Sequence, residues 1–146
     1  MIILCDLDHC LSDAAGRDHL IAAGDWDAYH SAAIDDPPVH DMIDLLRSIG
    51  GEHDLWGLTG RNEKWRALTN GWLLKHGLLL DDILMRPDDD FTPAAELKIR
   101  MVRERLGPDE AIRRQVLSVL DDREDVLAIF AAIGVTTLQV TAGRRT

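Results

Sequence analysis

The chain has 146 residues, 46% hydrophobic and 29% charged, the balance of a single soluble domain large enough to bury a core. Its 26 acidic residues against 16 basic ones give a net charge of −10. That argues against broad binding to a nucleic acid backbone and leaves room for a small phosphorylated ligand held by a few cations. No apolar run approaches the roughly 18 residues of a membrane span, no secretory leader opens the chain, and Cys5 and Cys10, without CxxC spacing, read as reduced cytoplasmic thiols.

In chain order, IILCD (residues 2–6) reads as a buried strand ending in Asp6, with Asp8 and Asp13 close behind. Carboxylates crowded at a strand end repel one another, so the pattern predicts a metal ion and a phosphate to offset them. Residues 11–36 are long for a connection, and DWDAYHSAAI within them reads as a short helix, so this stretch is expected to form a small lid. Trp26 and Tyr29 in it read either as a base-stacking pair or as a helix packing face. PPVHDMIDLLRSIGG predicts a helix with Val39, Ile43, Leu46 and Ile49 on one face, Pro38 near its start and Gly50 at its stop.

LWGLT (55–59) is a second strand, leading into Thr59-Gly60-Arg61, and NEKWRALTNGWLLKHG a helix with Trp65, Leu68 and Trp72 in the core. ILMR (83–86) is a third strand ending at Arg86. TPAAELKIRMVRERLG, with a Thr-Pro cap, is a helix that carries Lys98 and stops at Gly107. VLSVLD (116–121) runs into Asp121-Asp122 and Arg123, REDVLAIFAAIG is a helix closing at Gly134, and VTTLQV (135–140) is a fifth strand.

This alternation predicts an α/β doubly wound, Rossmann-like domain over residues 1–146, with five parallel strands and a minimal cap. Ligands in such folds sit beyond the carboxyl ends of the strands. Residues two apart on a strand face the same side, so Asp6 and Asp8 can address one ligand. Thr59 and Arg61 suit phosphate oxygens. Singly, each residue has a bland reading as turn former, cap or solvated charge. Their joint order, acidic pair, Thr, Lys, acidic pair, is much harder to obtain by accident. The six histidines show no HxH or HExxH spacing, which argues against zinc.

DLDHCL, LTGR, Lys98 and VLDDRED resemble the four motifs of the haloacid dehalogenase (HAD) superfamily of phosphotransferases. LTGRNEKWRALTNGWLLKHGL, LMRPDDDFTPAAELK and LDDREDVLAIFAAIGVTTLQVTAG further resemble the phosphatase domain of bacteriophage-type polynucleotide kinases. No GxxxxGK[ST] phosphate loop occurs, so the resemblance is to a free-standing, phage-encoded phosphatase module acting in the host cytoplasm.

The resemblance implies Asp6 as nucleophile forming an aspartyl phosphate. Asp8 would be the general acid and base, its proton held to higher pH by neighbouring carboxylates. Mg²⁺ would be held by Asp6, the Asp8 carbonyl, Asp122 and, through water or directly, Asp121. Thr59 and Lys98 would hold phosphate oxygens, with Gly60, Arg61, Arg86 and His9 on the substrate side. The implied substrates are nucleotides or 3′-phosphate ends of nucleic acid, with no membrane and no obligate protein partner.

Relatives mostly carry Gly and Thr where His9 and Cys10 stand, which places the support of that loop in question. Two rival readings are a non-catalytic HAD-like binding module and a receiver-type phospho-aspartate switch. In receivers the Lys comes last and the phosphorylated Asp follows a middle strand.

Overall fold

The computed structural model describes residues 1–141. The strands are β1 (Ile2–Cys5), β2 (Asp54–Asn62), β3 (Asp82–Arg86), β4 (Val116–Asp121) and β5 (Thr137–Gln139). They form one sheet in the order β3-β2-β1-β4-β5, every pair parallel. β1 is buried along its whole length, and its side chains alternate between two cores. Ile2 and Leu4 join Leu58, Leu97, Val102, Val119 and Phe130 in one core. Ile3 and Cys5 join Leu46, Leu55, Trp72, Leu73 and Ile83 in the other. A strand apolar on both faces needs helices on both, and they are present.

The helices are α1 (Asp18–Ala22), α2 (Trp26–Ser31), α3 (His40–Ile49), α4 (Arg66–Lys75), α5 (Ala94–Leu106), α6 (Asp109–Gln115) and α7 (Glu124–Ala132). Three short 3₁₀ turns, Ala14–Arg17, Ala32–Asp35 and Glu63–Trp65, complete the described elements. α3 buries Ile43 and Leu46, as its spacing predicts. α7 buries Val126, Leu127 and Phe130, and the chain then turns at Gly134, whose φ of +87° favours a residue without Cβ.

Four features differ from the sequence expectation. α6 is not among the predicted helices: Ile112 is its one buried residue, too little to show a period. The cap predicted for α5 is absent, because Pro93 stands at the cap position with no side-chain bond and Thr92 donates its N–H to Asp90 Oδ1 at 2.9 Å. Trp65 lies half-buried in a 3₁₀ turn rather than in the core. β5 is shorter than 135–140; an edge strand pairs on one side only, which limits how far the ladder extends. Ala142 and Gly143 lie outside the described residues.

Candidate active site

The sheet order makes β1 central, with β2 and β4 as its neighbours, so the ends of these three strands converge. Cys5 pairs with Leu120, and the Asp6 N–H donates to the Leu120 carbonyl at 2.9 Å, so Asp6 and Asp121 leave the sheet side by side. Lys98, on α5, donates from Nζ to Asp6 Oδ1 at 2.8 Å and to Asp121 Oδ2 at 2.6 Å. All three side chains are buried. The second Asp121 oxygen accepts the Arg123 N–H at 2.9 Å. Asp122 closes the cluster: its carboxylate, that of Asp6 and the Cys10 thiol lie within 4.8 Å of one another.

One ammonium therefore bridges two carboxylates, and a third, Asp122, joins the cluster without a bond to it. Burial pushes the Asp6 carboxyl up, to about 8; Lys98 opposes the shift and Asp121 adds to it. Burial and Asp121 likewise push Asp122 up. Burial works against the Lys98 charge, but Asp6 and Asp121 outweigh it and hold the ammonium protonated. The excess of negative charge in a buried set of hard oxygen donors is the environment a divalent cation such as Mg²⁺ takes.

Asp8 lies two residues beyond Asp6 in a different environment. After Leu7 the chain turns tightly, with Cys10, Leu11 and Ser12 all donating to the Leu7 carbonyl. His9 takes the left-handed conformation at φ +63°, which explains why glycine suits that position in relatives and why His, one of the more tolerant side chains there, still fits. The His9 imidazole faces Asp18, with Nε2 3.5 Å from Oδ1. Cys10 is fully buried, and the turn holds through backbone bonds without a hydroxyl at that position.

Arg61 grips Asp8 from the end of β2, with Nε 3.2 Å from Oδ2 and Nη2 2.6 Å from Oδ1, while its Nη1 donates to Thr69 Oγ1 at 3.1 Å. Arg17 reaches the same Asp8 Oδ1 at 2.5 Å from the segment between β1 and α3. Burial alone would raise the Asp8 carboxyl, yet Arg61 and Arg17 more than reverse this and hold it well below the usual carboxylate range. This corrects the expectation of a raised Asp8: the groups nearest its carboxyl are guanidiniums.

Of the other residues singled out from sequence, Thr59 is buried beside this pair and its Oγ1 accepts the Arg61 N–H at 3.1 Å. Arg86 is engaged with backbone, donating from Nε to the Gly60 carbonyl at 2.9 Å and from Nη1 to the carbonyls of Asp90 (3.0 Å) and Thr92 (2.6 Å). It braces Gly60 and the loop before α5. Trp26 and Tyr29 pack edge to face with centroids 5.7 Å apart, so both contribute to packing within α2. Sequence reasoning missed Arg17 and its partner Asp36. One signal was available: Arg17 is the only arginine or lysine before Arg47.

Residues 1–144 match the family described as the polynucleotide kinase PNKP phosphatase domain. Among solved structures, the chain is similar to a chain of the Pnkp1/Rnl/Hen1 complex, with 26% identity, a TM-score of 0.78, and coverage of 95% of this chain and 45% of that one. It thus spans less than half the length of that chain. A HAD-like hydrolase, SP0104 of Streptococcus pneumoniae, shares the fold at 16% identity, with a TM-score of 0.69, over 97% of this chain and 85% of that one. So does the HAD-hydrolase YfnB of Bacillus subtilis, solved with magnesium, at 14% identity with a TM-score of 0.66, over 93% and 86%. No curated protein matches the chain in sequence.

Proposed function

Since the chain belongs to the polynucleotide kinase phosphatase-domain family of HAD hydrolases, we propose that it is a Mg²⁺-dependent phosphomonoesterase, acting through Asp6 on nucleotides or 3′-phosphate ends. The observation that carries this reading is the Asp6 carboxylate, bound to Lys98 at 2.8 Å and gathered with Asp122 at the mouth of the sheet.

The donors fit the metal: Asp6, Asp122 and the Asp8 carbonyl would hold Mg²⁺, with Asp121 fixing Lys98 behind them. When bound, the ion supplies charge that neutralises the carboxylates and draws electron density from a phosphate oxygen. In the first step Asp6 Oδ bonds to phosphorus, the ester P–O bond breaks, and Asp8 protonates the departing oxygen. In the second, Asp8 takes a proton from water, the water oxygen bonds to phosphorus, and Asp6 is released with inorganic phosphate. Lys98 and Thr59 stabilise the charge on the phosphoryl oxygens.

Arg17 and Arg61 hold resting Asp8 ionised. A phosphate dianion entering beside them competes for their N–H groups, and weakening that grip lets Asp8 take up from solvent the proton the first step requires.

The acidic surface favours mononucleotides and short ends over long duplexes. The likeness to a chain of the Pnkp1/Rnl/Hen1 complex, which another solved structure names an RNA repair complex, puts RNA ends among the substrates to be tried. The free thiols of Cys5 and Cys10 suit a reducing cytoplasm. Among the described residues no helix is long and apolar enough to cross a membrane. The strand order β3-β2-β1-β4-β5 differs from the 2-1-3-4-5 order of receiver domains, which removes the switch reading.

The test is a panel of 3′- and 5′-mononucleotides beside 3′-phosphorylated RNA and DNA oligonucleotides in Mg²⁺. Hydrolysis that stops on chelation is expected. Failure to hydrolyse any phosphomonoester would return the protein to the binding-module reading.

A further inference from the structure

We propose that Asp36 is a positioning residue for the acid–base chemistry of Asp8, acting through Arg17; this rests on the phosphatase reading above. Arg17 is buried, and nearly every direction of its guanidinium is committed. Nε and Nη2 donate to Asp36 (2.9 Å to Oδ1 and 2.6 Å to Oδ2), Nη1 donates to the Tyr29 carbonyl at 3.1 Å, and the group lies 4.3 Å from the centre of the Tyr29 ring. The second N–H of Nη2 faces the site and meets Asp8 Oδ1 at 2.5 Å.

Asp36 is itself anchored. It is buried, its carbonyl accepts Trp72 Nε1 at 2.9 Å, and Trp72 is a core residue of α4. A continuous path of hydrogen bonds therefore runs from the core through Asp36 and Arg17 to Asp8. A guanidinium is planar, so fixing one edge on a carboxylate fixes where the remaining N–H points. Without Asp36, Arg17 keeps the Tyr29 carbonyl and ring but loses the carboxylate that holds its Nε–Nη2 edge, so the N–H aimed at Asp8 is less firmly placed.

A purely structural role for Asp36 and a positioning role differ in what they do to leaving groups. Proton delivery matters when the departing oxygen is a sugar alkoxide, and matters little for p-nitrophenolate, which leaves without help. The quantity to compare is kcat/KM, which reports transition-state stabilisation relative to free enzyme and substrate, so later breakdown of the phosphorylated Asp6 does not enter.

Asp36→Asn and Asp36→Glu are assayed in Mg²⁺ on p-nitrophenyl phosphate and on whichever nucleotide or 3′-phosphorylated oligonucleotide the wild type cleaves best, with thermal melts alongside. Asp36→Asn is expected to lower kcat/KM about 10²-fold on the nucleotide substrate, the lower end of what a general acid contributes, and only several-fold on p-nitrophenyl phosphate. Should it fail to melt cooperatively, Asp36→Glu carries the test. That variant keeps the charge, moves the guanidinium by one methylene, and is expected to show the same selectivity in smaller degree. Equal losses on both substrates, or no loss on either, would overturn the positioning role and leave the enzyme assignment intact. A wild-type protein inert on both would overturn the enzyme assignment itself.

Discussion

Asp6 and Asp8 are separated by one residue and sit in opposite electrostatic settings. Around Asp6, three carboxylates gather beside a single ammonium that bonds two of them, and burial pushes the Asp6 carboxyl up. Around Asp8, two buried guanidiniums face Asp8 and Asp36, and the Asp8 carboxyl is driven down. The first cluster is short of positive charge and needs a cation; the second is balanced within the protein. The proposed roles, a nucleophile beside a metal and a proton carrier beside a phosphate, call for this difference, and neighbouring strands and the insert between β1 and α3 supply it.

The largest expected effect tests the first half of the comparison. Asp6→Asn should reduce phosphatase turnover to the assay background, since the attacking oxygen is gone. Above about pH 8, where Asp6 ionises, the melting temperature of the metal-free variant should be no lower than that of the wild type, because a costly buried charge leaves with it. A marked loss of stability would mean that the Asp6 cluster is balanced after all.

Asp8→Asn should behave differently. Activity on nucleotide substrates should fall about 10²- to 10⁴-fold, and stability should drop by ~3 kcal/mol in denaturant titration, because Arg17 and Arg61 remain buried with a partner's charge missing. Equal stability of the two Asn variants would break the contrast.

The effect of pH separates the clusters further. A carboxyl raised in the folded state keeps its proton there while the unfolded chain has lost it. The Asp6 contribution to stability of metal-free protein should therefore decline from the ordinary carboxylate pKa of about 3.9 up to about 8. Mg²⁺, binding the ionised form, should raise the melting temperature more at pH 8 than at pH 6; an equal rise at both would count against a raised Asp6. Asp8 gives the opposite and smaller signal. Its depressed value contributes stability above the ordinary carboxylate range, and that contribution fades as the pH falls below it. In melts from pH 8 downward, any advantage of Asp6→Asn over wild type should thus shrink before the ordinary carboxylate range is reached, while the deficit of Asp8→Asn should close only below that range.

Much of this was legible in the amino-acid order. The apolar strands announce themselves, and Asp6, Thr59, Lys98 and Asp121-Asp122 sit at strand ends or on the following helix, where a parallel sheet brings functional groups together. The position of Arg61 was readable for the same reason, but its partners, Asp8 and Thr69, were not. Arg86 shows the limit: its type and place suit a phosphate, yet the fold uses it to bind backbone carbonyls. α6 was hidden because one buried side chain makes no period.

Sequence alone determined the fold class and the order of the chemical groups, because burial on two faces and a repeating strand-helix pattern are local properties written in side-chain type. Tertiary structure alone decided the charge state of each group. Arg17, Asp36 and Asp8 are brought together across 19 and 9 residues by packing, and a carboxyl's affinity for its proton depends on which charges lie within a few ångströms in space.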